Sequence, residues 1–296
     1  MIEPEVTHGL SVELVSSMTF AKLIVHGEQL LSPQSDSAKL DTEILICFVI
    51  GKERSYLLTW PEYKLSQIQA KHFIELMLRR VAGEPIAYIV NLREFWSLPL
   101  QVSPATLIPR PDTEVLVELV LTKHVDENLY CLDLGTGTGA IALAIASEKP
   151  QWKVEAIDFS HDAVELAQRN AKNLDLAHVQ IYQSDWFNNV SSDKCFDIIV
   201  SNPPYIDACD HHLNEGDVRY EPKTALVAAD NGLADIKIIA INARKYLKPG
   251  GFLYIEHGFE QSLAVKNILA DLAYCEIETV KDYSNNDRIT FACYSV

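Results

Sequence analysis

The chain has 296 residues, of which 48% are apolar and 22% charged, enough for two domains with cores of their own. A formal net charge of −16 denies it the basic stripe with which duplex-binding proteins displace counterions from phosphates, which argues against DNA or bulk RNA as substrate. The six cysteines form no C-x-x-C pair and sit mostly in apolar runs, the longest apolar run (44–50) is too short to span a bilayer, and the opening M-I-E-P-E-V-T-H has no apolar signal core, so a reduced protein of the cytoplasm with no membrane contact is expected.

Up to residue 90 the periodicity is helical. It predicts helices over 12–25, over 36–51 with Leu40, Ile44, Leu45 and Phe48 on one face, and over 66–81 with Ile68, Phe73, Leu76 and Met77 on one face, ended by Gly83. Short apolar runs between 95 and 108, punctuated by Pro99, Pro104 and Pro109, predict a hairpin-like connector. Beyond it, strands at 130–134, 153–158, 179–182, 196–200 and 252–256 alternate with helices at 113–124, 141–149, 162–174, 233–247 and 261–272. Such alternation predicts an α/β fold: a doubly wound, mostly parallel sheet with helices on both faces. Two last strand candidates, 276–281 and 288–294, flank the turn-rich D-Y-S-N-N-D and read as an antiparallel hairpin appended to that sheet. The expected organisation is a small all-α domain (1–90), a connector (91–111) and an α/β domain (112–296).

In open sheets of this kind ligands gather at the carboxyl ends of the strands. The first strand runs into D-L-G-T-G-T-G-A, where Gly135, Gly137 and Gly139 allow positive φ and close approach of a ligand to the backbone. The second ends at Asp158, whose carboxylate can accept from both hydroxyls of a ribose. Together they predict an adenosine-bearing cofactor, and the glycines also satisfy the G-x-G-x-x-A dinucleotide fingerprint, which keeps a nicotinamide-dependent dehydrogenase open. After the third strand, Asp185 can accept from an exocyclic amine and Trp186 offers an apolar face, which would line an adenine; a partly buried loop aromatic explains Trp186 equally well.

The fourth strand stops at Asn202, Pro203, Pro204 and Tyr205. Two prolines cannot continue a central strand, because neither has an N–H for the ladder. What they provide is rigidity: the Asn202 side-chain oxygen and a proline-peptide carbonyl become fixed neighbouring acceptors, suited to a planar group bearing an NH2, with the Tyr205 ring nearby. A dehydrogenase offers no reason for these residues. Adjacent His211 and His212, in a charged loop, are expected to be solvated rather than metal ligands, and His257 to be packed. Arg110 and Glu114 could shape the mouth of the site through the rigid P-R-P, or simply belong to a helix start.

With these motifs in view, the chain resembles the class I S-adenosylmethionine-dependent methyltransferases and, within them, is similar to the release factor glutamine methyltransferases. The likeness extends through G-E-P-I-A-Y-I (83–89), Phe95-Trp96, L-I-P-R-P-D-T-E (107–114), D-L-G-T-G-T-G-A-I-A-L-A (133–144), S-N-P-P-Y-I (201–206), D-V-R-Y-E-P-K-T-A-L (217–226), E-H-G (256–258) and Asp287-Arg288. The resemblance implies S-adenosylmethionine as co-substrate, with Gly135, Thr136, Gly137, Thr138 and Gly139 at its methionine part, Asp158 at the ribose, Asp185 and Trp186 at the adenine, and Asn202 between donor and acceptor. Asn202, Pro203, Pro204 and Tyr205 would hold the acceptor, the glutamine of the Gly-Gly-Gln motif in class I peptide-chain release factors. The helical domain would help recognise that protein; a monomer without metal is expected. An adenine-N6 methyltransferase would use the same acceptor pair but lacks support from the surface charge, and a non-enzymatic binding module would be expected to have lost acceptor residues that are all present.

Overall fold

The computed structural model describes residues 10–33 and 35–295, apart from the side chains of His212 and Asn214. The chain forms two compact units, Met1–Asn91 with Asn214–Tyr220, and Leu92–Leu213 with Glu221–Val296.

The first unit is helical: α1 (Val12–Ser17), α2 (Phe20–Leu31), α3 (Ala38–Ile50), α4 (Arg54–Thr59), α5 (Gln67–Val81) and α6 (Ile86–Val90). The helix expected over 12–25 is broken at Met18-Thr19. Thr19 is extended, bridges to Lys64, and caps α2 by accepting from the Lys22 N–H. Ser66 and Gln69 form a reciprocal capping box at the start of α5, and Gly83 follows its end with φ +94°.

Two helix faces differ from expectation. Leu40 and Phe48 are 39% and 44% exposed, while Asp41, Thr42, Leu45 and Ile46 are buried. The reason is an ion pair: Arg80 of α5 donates to Asp41 at 2.8 Å, and the Ser35 and Ser37 hydroxyls donate to the same carboxylate, so α3 turns a polar residue inward. Ile68, in the first turn of α5, is 85% exposed, whereas Ala70, Phe73, Leu76 and Met77 pack inside. Asn214–Tyr220 joins this unit through Asp217, 3.3 Å from Arg80, and through the Tyr220 hydroxyl, which donates to the Ala82 carbonyl at 2.6 Å.

The second unit opens with an antiparallel hairpin, β1 (Leu92–Phe95) and β2 (Leu98–Gln101). A short 3-10 turn (Pro111–Thr113) leads into α7 (Glu114–Lys123). Then follow β3 (Tyr130–Leu134), α8 (Ala140–Glu148), β4 (Lys153–Asp158), α9 (His161–Asn173), β5 (Gln180–Gln183), β6 (Phe196–Ser201), α10 (Ala234–Ala243), β7 (Leu247–Glu256), α11 (Ser262–Asp271), β8 (Cys275–Lys281) and β9 (Asp287–Cys293). The seven-stranded sheet has the order β5-β4-β3-β6-β7-β9-β8, parallel from β5 to β7, with β9 antiparallel to both of its neighbours.

Alternation along the strands separates two cores. Cys131, Ile198 and Val200 face α7, α8 and α9, while Leu132, Leu134 and Ile199 face α10 and α11. The chain leaves β3 toward β4 on one side and returns to β6 on the other. The ends of β3 and β6 therefore form the switch point at which a doubly wound sheet opens a crevice.

Candidate functional site

The crevice is present as a cleft of about 270 Å³, just below the ~300–1,000 Å³ usual for small-molecule sites. Its floor is the turn between β3 and α8. Gly135, Gly137 and Gly139 have φ of +74°, +57° and +86°, which a side chain would strain. The turn is tied to β4: the Gly135 and Thr136 N–H groups donate to the Ile157 carbonyl at 2.9 and 2.8 Å, and the Gly137 N–H donates to Asp158 at 2.8 Å. The other Asp158 oxygen accepts from the Ser160 N–H at 2.8 Å. Burial pushes the Asp158 carboxyl up, opposed by these backbone N–H groups. Each oxygen keeps a further acceptor site for a ligand hydroxyl.

Beneath the turn, Asp133 is fully buried and takes the Thr136 hydroxyl at 2.6 Å, while its second oxygen has no partner among the described residues. Burial lifts this carboxyl to about 7. Trp186 has φ +43°, an unfavourable backbone for a large side chain, and its ring stands 3.7 Å from where a Cβ on Gly135 would sit. Asp235, another lining residue, has its carboxyl pushed up by burial against the pull of the Trp186 indole.

The opposite wall comes from β6. Ser201 donates to the Leu134 carbonyl at 2.8 Å, which joins the ends of β3 and β6, and Asn202 follows with its Nδ2 donating to the Thr113 hydroxyl at 3.3 Å. With the NH2 so engaged, the Asn202 carbonyl oxygen is the atom left to accept. The turn is fastened from behind: the Tyr205 carbonyl accepts from Gln261 at 3.0 Å, and Ile206 bridges to Val227.

Gly135, Thr136, Gly137, Thr138, Asp158, Asp185, Trp186, Asn202 and Pro204 line the cleft together, whereas Gly139, Pro203 and Tyr205 do not. Gly139 caps α8 behind the turn, Pro203 is buried, and the half-buried Tyr205 directs its hydroxyl toward Glu256 at 3.5 Å. Arg110 lines the mouth and is clamped by buried Glu221, both oxygens at 2.8 Å. Glu114 accepts from the Trp96 N–H at 2.9 Å and does not line the cleft. His257 is packed, bonded to the Gly258 carbonyl at 2.9 Å and Thr290 at 2.7 Å. His211 is exposed beside Asp210; the His212 side chain lies outside the described residues.

Three contributors were given no role by the sequence, although the likeness runs through the segments that hold two of them: Thr113, Asp235, and Glu256 at the end of β7. Glu256 is 2% exposed and its carboxyl is lifted to about 7 by burial, against the pull of the Thr113 hydroxyl, Arg288 and the Asn202 amide. Among the described residues the one cluster of metal-type donors is Cys275, Glu276 and Cys293, none of which lines the cleft. No helix among the described residues is long and apolar enough to cross a membrane.

Comparison with known proteins adds an independent line. A family model described as methyltransferase small domain matches residues 111–216, and one described as PrmC N-terminal domain matches residues 22–90. The chain is 54% identical over 260 residues to the release factor glutamine methyltransferase of Shewanella oneidensis, covering 88% of this chain and 91% of that protein. It is 51% identical over 287 residues to the protein of the same name from Aliivibrio fischeri, covering 97% and 99%. Among solved structures, a methyltransferase from Pyrococcus furiosus superposes with a TM-score of 0.53 at 19% identity, over 75% of this chain and 99% of that one, a likeness of fold.

Proposed function

For a chain that belongs to the release factor glutamine methyltransferase family, we propose transfer of a methyl group from S-adenosylmethionine to the side-chain amide nitrogen of the glutamine in the Gly-Gly-Gln motif of class I peptide-chain release factors. The observation that carries this reading is Asn202, whose NH2 is turned back to Thr113 while its oxygen is left for an acceptor NH2 in the cleft that the glycine turn and Asp158 also line.

The glycine turn, with Thr136 and Thr138, would hold the methionine part of the donor, and Asp158 the ribose hydroxyls. Trp186 and Asp185 would bound the adenine. When bound, S-adenosylmethionine supplies an electrophilic methyl group on a sulfonium. The chain's own task is orientation, because an amide nitrogen is a poor nucleophile whose lone pair is delocalised into its carbonyl. Two fixed acceptors, Asn202 Oδ1 and the Pro203 carbonyl, take the two N–H bonds and aim the nitrogen lone pair along the transfer axis. Alignment of this kind is worth at most ~7–11 kcal/mol of a barrier. Pro204 keeps the turn rigid, and Tyr205, which follows it, would serve the acceptor side. The proton left on the methylated amide is strongly acidic and leaves to water, so the route needs no metal.

The helical part, residues 1–90, would help recognise the release factor, with the connector 91–111 leading to the transferase part, 112–296. The enzyme is taken to work as a cytoplasmic monomer. An adenine-N6 transferase would use the same acceptor pair, but a net charge of −16 repels its substrate.

Single-turnover transfer to intact release factor carrying Gln, Asn or Glu in the Gly-Gly-Gln motif, with duplex DNA in parallel, tests the reading. Gln should react. Asn, one methylene shorter, should be slower on the order of a hundredfold, because a ~1 Å misplacement costs about that much. Glu has no N–H to donate and should not react. Transfer to Glu, or to DNA in preference to release factor, overturns the proposal.

A further inference from the structure

We propose that Glu256 is a positioning residue for the transfer, holding the Asn202 side-chain amide with its NH2 turned inward so that its carbonyl oxygen faces the cleft. The proposal rests on the reading of Asn202 as an acceptor-orienting group. A carboxamide has nearly the same shape either way round, so what fixes its orientation must be the chemistry of its neighbours. The Thr113 hydroxyl cannot fix it by itself, because a hydroxyl both donates and accepts, but once its proton is drawn to the Glu256 carboxylate its oxygen can only accept from the Asn202 NH2. An ionised carboxylate only accepts, and one stands beside Asn202 at the end of the neighbouring strand β7.

The environment of Glu256 suits that task. It is 2% exposed, its Oε1 takes the Tyr205 hydroxyl at 3.5 Å, the Thr113 hydroxyl and the Asn202 amide pull on the same carboxyl, and its Oε2 still makes no hydrogen bond of ordinary geometry among the described residues. A buried carboxylate oxygen without a partner is costly, and its presence next to two acceptor-binding residues calls for a function. The nearest cation, Arg288 on β9, spends Nε and Nη2 on Asp282 at 3.0 Å and Nη1 on the His257 carbonyl at 3.3 Å. The other charged or titratable neighbours are Asp112 ahead of α7, Tyr205 after β6, and His257 next along the chain. Since burial lifts the Glu256 carboxyl to about 7, its charge changes within the neutral range. The charged form accepts from the Asn202 NH2. The neutral acid can donate to the Asn202 oxygen, turning the amide round and presenting an NH2 to an acceptor NH2.

The test uses the full-length protein, with the isosteric Glu256→Gln variant. In wild type, single-turnover transfer at saturating donor should rise about tenfold per pH unit below pH ~7 and level off above it. In Glu256→Gln that limb should vanish and the plateau rate should fall about tenfold or more, with the dissociation constant of S-adenosylmethionine changed less than about twofold. A limb that persists in the folded variant, or donor affinity that falls in step with the rate, overturns the proposal. A second readout needs neither acceptor nor mutant: in 15N-asparagine-labelled wild type, the Asn202 side-chain amide resonance should titrate near neutral pH. A resonance that stays still from pH ~5.5 to ~8.5 overturns the proposal even if Glu256→Gln does not fold. Wild type that fails to methylate release factor at any pH sinks the functional reading alone, and the resonance still decides the role of Glu256.

Discussion

Asp158 combines two tasks that are usually separate. Its oxygens take the N–H groups of Gly137 and Ser160, so the carboxylate shapes the glycine turn before any ligand arrives. Asp158→Asn keeps the volume but turns an NH2 against one of those N–H groups and removes the charged acceptor. The donor should lose about 1.5–3 kcal/mol of binding, the range for a hydrogen bond to a charged group. Isothermal calorimetry on the folded variant checks this, and an unchanged affinity would remove Asp158 from the ribose site. Asp158, Trp186 and Asn202 were legible in the sequence because each lies at or just past the end of a strand, and strand ends are where such sheets bind. Thr113 and Glu256 were not. Thr113 meets Asn202 across 89 residues, and Glu256 meets Tyr205 across 51, so no local spacing encodes either contact. Tyr205 is a mixed case: the motif drew attention to it, yet its hydroxyl points toward a buried carboxylate, Glu256, that the likeness included without a role.

At the scale of elements, the Asn-Pro-Pro-Tyr turn depends on a second turn behind it. Gly232 has φ +82°, and a Cβ there would lie 2.0 Å from the Tyr205 carbonyl oxygen, a backbone atom that cannot swing aside. Gln261 spans both turns, donating to the carbonyls of Tyr205 and Asn231 at 3.0 Å. Gly232→Ala should therefore cost about 1–3 kcal/mol of stability, as overpacking does, and lower turnover more than donor affinity, because it pushes on the acceptor side. Urea unfolding with a donor-binding isotherm checks both parts; a variant of wild-type stability and turnover would show that the turn yields. The central strands β3, β4 and β6 were legible as apolar runs because both faces are covered, and burial on both sides leaves a continuous signal. In the first unit the helical stretches over 12–25, 36–51 and 66–81 were legible, but not the short α4 and α6, nor the faces the longer helices bury. An inward Asp41 paired with Arg80 cannot be told from a solvated one by periodicity, and the break at Thr19 is made by pairing with Lys64, a contact far along the chain.

Over the whole molecule, buried titratable groups make stability depend on pH in a way that their signs fix. Asp133 and Glu256 are carboxyls raised by burial from 3.8 and 4.5 to about 7. The folded state therefore holds their protons where the unfolded chain has released them, and stability falls as pH rises from the unfolded values to the folded ones. Two histidines act oppositely. Burial lowers His124 from 6.5 to about 4, where it bonds to the Tyr254 hydroxyl, and lowers His257 as well, so the unfolded chain binds more protons below 6.5 and stability rises with pH up to that point. Between pH ~4.5 and ~6.5 the two pairs oppose one another and the profile should be shallow. Above ~6.5 the unfolded histidines give up their remaining protons and their opposing contribution fades, while the folded carboxyls are still losing protons, each able to contribute a slope of at most about −1.4 kcal/mol per pH unit. The unfolding midpoint of ligand-free protein should therefore drop from pH ~6.5 to ~7.5 and flatten beyond, and Glu256→Gln, which has no proton to lose, should show a smaller drop. Thermal or urea unfolding across that window is the check. A midpoint that rises through it would mean that Asp133 and Glu256 are already charged in the folded state, held so by more than the Thr136 hydroxyl on the one and the Tyr205, Thr113 and Asn202 groups on the other.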